Sequence, residues 1–247
     1  VSSKWCFRWI YIELINHSNG GKQVQLIKEK IIENYNQILN EINKYSPYPE
    51  KVKILFVSKY FDIVNQKRLI EWGFNYFGEN KAQVYRDKIK ECNLEKVKWD
   101  FIGRLQKNKI KYIIANVNLI HSVDTLELLE ELNQKALEAK RHLNVLLQIN
   151  VSEEESKAGL SIEEFKKNQE EYFKFENITI KGFMTMAPYI GNSSEIEICF
   201  STLFNLLKET KDKYPELEEL SMGMSNDYIE ALKNGATILR IGSKLFE

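Results

Sequence analysis

Eight short apolar segments, each separated from the next by a helical pattern, constrain the fold of this 247-residue chain most strongly. The predicted strands are Ile54–Ser58, Phe74–Phe77, Val97–Ile102, Val117–His121, Val145–Val151, Ile178–Met184, Leu217–Met222 and Thr237–Ile241. Their near-continuous apolar character is typical of parallel strands that are buried on both faces. We therefore predict a single (β/α)8 barrel of the TIM type. An open doubly wound sheet is the alternative, but no G-x-G-x-x-G follows the first strand.

A helical pattern before the first strand is expected to complete the barrel. Gln23–Tyr45 carries apolar side chains at helical spacing and ends at Ser46–Pro49, because proline resists helix continuation. Gly242–Glu247 is too short to form the helix that should cover the seam after the eighth strand. We predict that the N-terminal helix covers this seam, within one domain spanning residues 23–247. Residues 1–22 form an N-terminal extension of unknown role.

Local signals predict where two further helices begin. Ser161 followed by Glu164, and Ser194 followed by Glu197, have the spacing of capping boxes, in which a side chain binds the first turn of a helix. We expect helices to start at both sites.

Composition excludes several classes of function. Thirty-five basic residues balance thirty-five acidic ones, so neither nucleic acid nor a membrane surface is an expected partner. The three cysteines are widely spaced, which suits a reducing, cytoplasmic compartment. No Cys/His cluster predicts a metal site, and no apolar segment is long enough to span a bilayer. Charges interrupt the aromatic segment near the N-terminus, so a signal peptide is not expected.

Lys59 follows the first predicted strand, where a buried segment gives way to a loop. In (β/α)8 barrels the carboxyl ends of the strands and the loops after them build the active site. Three explanations for a lysine at this point are open: an ion pair, a stem that carries the ammonium to solvent, or a neutral nucleophilic amine. The third would make Lys59 a Schiff-base-forming residue.

The loops after the seventh and eighth predicted strands have features of a phosphate site, and barrels frequently bind phosphate there. Ser225 is expected to cap the helix that follows, whose N-terminal amides favour an anion. Gly242 permits close backbone approach, and Ser243 adds a hydroxyl donor. Taken singly, each loop is equally consistent with an ordinary helix cap or a turn glycine.

Arg240 alternates with Leu239 and Ile241 in the last predicted strand, so its side chain is expected to point into the barrel mouth. A guanidinium near Lys59 would favour the neutral amine, because like charges disfavour the charged form. A carboxylate partner is the alternative for such an arginine. A lysine amine, a phosphate site and a planar cation together fit pyridoxal 5'-phosphate (PLP), held as an internal imine.

Several motifs occur in the order of a known family. They are Phe56–Lys59, Phe77–Asn80, Trp99–Lys109, Leu147–Asn150, Glu155–Leu160, Gly182–Met186, Leu220–Ser225 and Arg240–Ser243. With these motifs the sequence, from about Val24 to Phe246, resembles the pyridoxal phosphate homeostasis protein family. The resemblance implies a fold-type III PLP barrel similar to the N-terminal domain of alanine racemase.

The resemblance also implies roles for individual residues. Lys59 would hold PLP as a Schiff base, and Arg240 would face the pyridine nitrogen. The remaining implied contacts are those to the phosphate, from Ser225, Gly242 and Ser243, and those near the ring, from Asn80 and Met222. No residue is assigned a catalytic role.

The sequence departs from the usual family pattern near the predicted mouth of the pocket. Tyr60-Phe61 replaces a common Thr-Lys, and Lys81-Ala82 replaces a frequent Tyr-Val. Asp100 and Arg104 stand where the family often has histidines. None of these positions is the imine lysine or belongs to the phosphate loops.

The function implied is a PLP-binding protein that buffers or delivers the cofactor in vitamin B6 and amino-acid homeostasis, with little or no turnover. An arginine leaves the pyridine nitrogen unprotonated, which makes PLP a weaker electron sink. Related racemases take a second acid/base group from an additional β domain, which the four residues after Ser243 are too few to form. PLP-dependent apo-enzymes are possible partners, and the expected state is a monomer or a weak homodimer.

Two catalytic alternatives are open. The first is a PLP-dependent amino-acid racemase, in which Tyr60, Tyr189 or Lys157 would be the second base. The second is a PLP-free aldolase, in which Lys59 would attack the carbonyl of a sugar phosphate. It would use the same phosphate loops, so only the family motifs separate it from a PLP protein.

Overall fold

Eight parallel strands close into a barrel in sequence order. The structure is a computed structural model that describes residues 26–92, 95–152, 158–188 and 191–246. The elements are α1 (Lys28–Tyr45), β1 (Lys53–Val57), α2 (Ile63–Glu71), β2 (Tyr76–Glu79), α3 (Ala82–Glu91), β3 (Lys98–Phe101), β4 (Leu119–Val123), α4 (Leu126–Glu138), β5 (Leu143–Gln148), α5 (Ile162–Lys167), α6 (Gln169–Phe173), β6 (Ile178–Met184), α7 (Ser193–Lys211), β7 (Glu219–Met224), α8 (Tyr228–Lys233) and β8 (Ile238–Ile241). The predicted (β/α)8 barrel is confirmed.

Closure of the barrel places the first and last strands side by side. β1 pairs with β8 in parallel, and Leu55 lies opposite Arg240 in this register. The next pair along the two strands is Phe56 and Ile241. The residues that follow β1 and β8 therefore meet at the same end of the barrel, although they are far apart in the sequence.

Three strands begin two residues later than predicted, because apolar residues in the preceding turns have the appearance of strand residues. Leu217 donates its amide to Tyr214 O at 3.2 Å, and β7 starts at Glu219. Phe74 donates its amide to Leu69 O at 3.1 Å, so it closes the end of α2 and β2 starts at Tyr76. Val117 donates its amide to Ile113 O at 3.0 Å in the same way, and β4 starts at Leu119.

The connections also differ from the predicted helices at two points. A 3-10 helix, Lys107–Tyr112, stands between β3 and β4 where an α-helical pattern was expected. The predicted cap at Ser194 is wrong, because Asn192 caps α7 in a reciprocal capping box with Glu195. The other predicted cap is present, since the Ser161 side chain accepts from the Glu164 amide at 3.0 Å.

Two apolar layers hold the barrel. The larger one lies between the strands and the surrounding helices, and the smaller one fills part of the barrel interior. The interior layer consists of Leu55, Val57, Leu119, Leu146, Met184 and Ile238. Polar side chains occupy other inward positions, among them Asp100, His121 and Arg240, and all three are buried. A barrel interior that is partly polar needs internal hydrogen bonds, because unpaired buried polar groups are costly.

The N-terminal helix covers the seam, as predicted. α1 buries Ile31, Ile38 and Ile42, and its Asn34 side chain donates to Leu245 O at 3.2 Å. The Tyr228 hydroxyl donates to Glu41, which ties α1 to α8. The helix is described from Lys28 onward. The predicted extension, residues 1–22, lies outside the described residues, so the division into an extension and a domain spanning residues 23–247 stays a prediction.

None of the helices in the described parts of the chain combines the length and the apolar character that crossing a bilayer requires.

Candidate functional site

Lys59 lies in a tight turn at the carboxyl end of β1. The turn is closed by the Phe61 amide, which donates to Ser58 O at 3.0 Å. Lys59 is exposed, and its Nζ lies 4.8 Å from the centroid of the Tyr60 ring. Within the described part of the chain no carboxylate forms an ion pair with it. The ion-pair explanation therefore has no support, and the amine is open to a ligand.

The turn that carries Lys59 borders the loop after β8. A methyl group added at Gly242 would lie 3.4 Å from Tyr60 Cε2 and 3.6 Å from Val57 Cβ. Gly242 is thus in contact range of the residue that follows Lys59. The structure brings together two segments that the sequence analysis assigned to one site.

Ser225 does not cap the helix after β7, which corrects the prediction. α8 begins at Tyr228, and its N-cap residue is Asp227. The Ser225 hydroxyl oxygen instead accepts from the backbone amides of Gly242 and Lys244, each at 3.3 Å. Two amides from the β8 loop therefore converge on the Ser225 hydroxyl oxygen, and the proton of this hydroxyl can be donated to an anion.

The turn between Met224 and Asp227 explains this difference. The Asp227 carboxylate accepts from the Met224 amide at 2.5 Å, and the Asp227 amide donates to Met224 O at 3.1 Å. Burial raises the pKa of Asp227 above its usual range, although the Met224 amide and the Arg240 charge act in the opposite direction. Ser225 is left inside the turn, where its side chain can face the β8 loop.

Arg240 is buried, with 5% of its surface exposed, and two neighbours hold its guanidinium. Nη1 donates to Ser221 Oγ at 2.7 Å, and Nη2 donates to Thr185 O at 2.9 Å. Burial lowers the pKa of Arg240 to about 10, and the Asp227 charge opposes this effect. No carboxylate within the described ranges forms an ion pair with Arg240. The guanidinium remains charged at neutral pH and keeps N–H donors for another acceptor.

A chain of hydrogen bonds leads from the guanidinium into the barrel. Ser221 Oγ lies 2.9 Å from His121 Nδ1, and His121 Nε2 lies 2.9 Å from an oxygen of Asp100. Because the Asp100 carboxylate can only accept, the hydrogen bond between these two residues is donated by His121 Nε2. Tyr76 donates to Asp100 at 2.5 Å, and Asn118 donates to it at 2.7 Å. All the donors thus converge on the Asp100 carboxylate.

Asn80 follows β2 and carries an unpaired atom. Its Oδ1 is buried and has no hydrogen-bond partner among the residues that the structure describes. A methyl group at Gly103 would lie 2.0 Å from Asn80 O, so this position, two residues beyond the end of β3, must be glycine for the two loops to approach this closely. A buried amide oxygen without a partner is costly, and a ligand donor at this point would remove that cost.

A buried ion pair lies beneath the Lys59 turn. Lys88 Nζ is 2.7 Å from Glu79 Oε2, and the two residues are each 1% exposed. The sequence analysis did not identify either residue. Lys88 shares the buried face of α3 with Ala82, Tyr85 and Ile89, and this helical spacing is the signal that could have found it.

Comparisons with known proteins agree with this geometry. Residues 93–247, more than half of the chain, match the family model for the alanine racemase N-terminal domain. A pyridoxal phosphate homeostasis protein of Aquifex aeolicus is 39% identical over 178 residues, which cover 70% of this chain and 77% of that protein. The chain belongs to the pyridoxal phosphate homeostasis protein family.

Other members of the family extend the match over most of the chain. The pyridoxal phosphate homeostasis protein of Buchnera aphidicola is 32% identical over 233 residues, which cover 93% of this chain and 99% of that protein. The structure of PipY from Synechococcus elongatus with PLP bound has a TM-score of 0.78 and 29% identity, covering 88% of this chain and 100% of that one. The relatives from Aquifex aeolicus and Buchnera aphidicola are named as homeostasis proteins, although residues 93–247 match the alanine racemase N-terminal domain.

The remaining predicted site residues are placed differently. Met222 is fully buried and packs in the layer between strands and helices, on the side of β7 opposite Ser221. This position favours a packing role for its side chain, and its contact with the PLP ring stays a prediction. Ser243 is partly buried in the β8 loop. Two candidate second bases of a racemase, Tyr189 and Lys157, lie outside the described residues.

Proposed function

We propose that this protein holds PLP as a Schiff base on Lys59 and thereby buffers or delivers the cofactor. The observation that carries the proposal is the position of Lys59, an exposed amine without an ion-pair partner among the described residues, beside the loop that contains Gly242. A free amine condenses with an aldehyde, forming a C=N bond and releasing water. The names of the relatives and the PLP-bound structure of PipY support the same ligand.

The rest of the site suits the other groups of PLP. The hydroxyls of Ser225 and Ser243 are the proposed donors for the phosphate, which would lie against Gly242. The amides of Gly242 and Lys244 donate to Ser225 Oγ and orient its hydroxyl. Arg240 uses two of its five N–H donors internally, which leaves N–H groups for the pyridine nitrogen. These assignments follow from the kind and position of each donor.

Asn80 is proposed to lie near the ring. Its buried and unpaired Oδ1 would there accept from a hydroxyl or amine of the ligand. Met222 is proposed to lie near the ring as part of β7, with its side chain in the outer layer.

A carrier role without turnover fits the chemistry of Arg240. An arginine that remains charged does not protonate the pyridine nitrogen, and PLP bound in this way is a weak electron sink. Tyr60 is the only proposed second base of a racemase within the described ranges, and its ring lies under the Lys59 amine and against Gly242. The PLP-free aldolase is not favoured by the names of the relatives. Delivery to apo-enzymes, a cytoplasmic location and a monomer or weak homodimer are parts of the proposal.

The first prediction concerns the covalent bond. Purified protein incubated with PLP is expected to show a yellow absorbance that borohydride removes, leaving a pyridoxyl group that peptide mass spectrometry maps to Lys59. Lys59→Ala should lose this label, while its free energy of unfolding changes by less than about 0.5 kcal/mol because the side chain is exposed. Lys107→Ala, another exposed lysine that follows a strand, is the matched control and should keep the label.

Two outcomes would contradict the proposal. A pyridoxyl group that maps to another lysine, or a Lys59→Ala variant that keeps the chromophore, would remove Lys59 from its role. Formation of D-amino acids from a panel of L-amino acids, lost in Lys59→Ala, would replace the carrier role with racemase activity.

A further inference from the structure

The buried ion pair of Glu79 and Lys88 contacts both loops that carry the proposed PLP residues of the first half of the chain. Lys88 Nζ donates to Ser58 O at 2.6 Å, and Ser58 O belongs to the peptide group that Ser58 shares with Lys59. Glu79 Oε1 accepts from the Asn80 amide at 2.8 Å. One pair therefore reaches the backbone of Lys59 and the backbone of Asn80.

The Lys88 ammonium uses all of its hydrogen-bond donors within the protein. The three protons of the Lys88 ammonium have three acceptors: Ser58 O, Glu79 Oε2 and, at 3.3 Å, Ser58 Oγ. The Ser58 hydroxyl lies 3.1 Å from Glu79 Oε2, and the Lys81 amide adds a longer contact of 3.4 Å to Glu79 Oε1. An ammonium with no spare donor fixes the groups around it.

Ser58 O is the acceptor that defines the Lys59 turn. It accepts from the Phe61 amide, which closes the turn, and from Lys88 Nζ at the same time. The ammonium therefore holds one end of the turn from below, while Lys59 extends its side chain from the exposed side. Movement of this carbonyl would reorient the Lys59 backbone and shift the amine.

Stability alone gives no reason for such a pair. Removing two charges from water is costly, and apolar residues of similar volume often replace a buried pair without loss of stability. A geometric role explains why charges occupy a buried position in the layer between α3 and the strands.

We propose that Glu79 and Lys88 are positioning residues that preset the Lys59 turn for reaction with an aldehyde. The inference rests on the proposed function of Lys59. The pair neither touches the ligand nor supplies a proton to it. It holds the Lys59 and Asn80 backbones at a fixed separation. The amine then already lies within reach of the aldehyde when the phosphate of the ligand is bound.

The test separates Schiff-base formation from binding in the full-length protein. A Glu79→Gln/Lys88→Met double variant removes both charges and leaves no buried charge unpaired. Schiff-base formation with PLP, followed by absorbance in stopped flow, should slow by about tenfold to a hundredfold, because small misplacements of a reacting group have effects of this size. Pyridoxine 5'-phosphate, which has the ring and phosphate but no aldehyde, should bind within about twofold of wild type.

A matched control lies on the same helix. Glu91 of α3 forms an exposed ion pair with Lys67 of α2, at 3.4 Å. The Glu91→Gln/Lys67→Met variant removes the same charges and should leave both measurements unchanged. If the buried pair had a purely structural role, its removal would reduce the reaction with PLP and the binding of pyridoxine 5'-phosphate to the same extent. That result would overturn the proposal.

The outcomes distinguish the two proposals. If wild-type protein takes up PLP on Lys59 and the buried double variant reacts at the wild-type rate, the positioning role is wrong and the carrier function stands. If wild-type protein takes up no PLP on Lys59, the carrier function itself fails. Should circular dichroism show that the double variant is unfolded, Lys88→Arg provides the test, since it keeps a cation beside Glu79 but replaces the ammonium with a planar group. For Lys88→Arg we again expect slower Schiff-base formation with PLP and unchanged binding of pyridoxine 5'-phosphate.

Discussion

Two buried polar networks flank the candidate site, and they arrange charge in opposite ways. Outside the barrel, Glu79 and Lys88 are in direct contact at 2.7 Å. Inside it, Arg240 and Asp100 are separated by Ser221 and His121, and no ion pair joins them. The first arrangement fixes backbone groups, whereas the second fixes the orientation of one guanidinium.

The difference follows from what each network must present to a ligand. The Lys88 ammonium of the outer pair has no spare donor for a ligand. Its proposed role is to position the amine of another residue, Lys59. In the proposed function Arg240 itself contacts the ligand, so a direct carboxylate partner would compete for its donors. Ser221 and His121 between Arg240 and Asp100 keep the carboxylate out of direct contact with the guanidinium and leave N–H groups available.

The largest expected loss of stability comes from breaking the buried ion pair of Glu79 and Lys88. Lys88→Met leaves the Glu79 carboxylate buried without a cation and should lower the free energy of unfolding by about 3–5 kcal/mol. Adding Glu79→Gln should restore most of this loss, because no buried charge then remains. Urea unfolding followed by circular dichroism measures both. A single variant as stable as wild type would show that the carboxylate finds water or another partner.

A smaller loss of stability is expected from breaking the network inside the barrel. Asp100→Ala removes the acceptor that His121 and Tyr76 share, and each unpaired donor is a cost, so the loss should be about 1–3 kcal/mol. Asp100→Asn keeps an acceptor oxygen for His121 and should lose less. The same urea experiment compares the two. Equal losses would mean that the charge of Asp100, and not its hydrogen bonds, stabilises the barrel interior.

The smallest effect concerns Asp227, the carboxylate whose charge acts directly on Arg240. Burial raises its pKa, so the folded state binds the proton more tightly than the unfolded state does. Its contribution to stability therefore falls as pH rises from the ordinary carboxyl pKa through the raised one. Asp227→Asn keeps an acceptor for the Met224 amide and should gain stability relative to wild type between about pH 3.5 and about pH 7. If the difference in urea midpoint between Asp227→Asn and wild type is the same at the two pH values, the raised pKa of Asp227 in the folded state is contradicted.

The sequence was sufficient for the order of the strands and for the placement of Lys59 and Arg240. Lys59 follows an apolar segment and Arg240 lies within one. The pattern of both segments is local, and the strand count alone brings their ends together. Ser225 shows the limit of local rules. Its position before a helix is correct, but the turn formed by Met224 and Asp227 moves the helix start and leaves its hydroxyl facing the β8 loop.

The buried charges could not be predicted in the same way. A lysine on a helix is normally exposed, and Lys88 is buried only because Glu79 and Ser58 arrive from two other segments. His121 likewise depends on Asp100 from β3 and Ser221 from β7. The helical spacing of Lys88 is a sign of its burial. Its partners and those of His121 are set by the closed barrel, and the spacing of residues along the chain gives no direct sign of them.

The pairing of β1 with β8 has a consequence for the time at which the site exists during synthesis of the chain. The Lys59 turn and its ammonium support are complete once the residues up to α3 have assembled, whereas the proposed phosphate donors belong to the loops after β7 and β8. An unfinished chain would hold a prepared amine and no anchor for the ligand. We therefore expect stable capture of PLP to begin only when the first and last strands pair, which makes the cofactor a marker of a finished barrel.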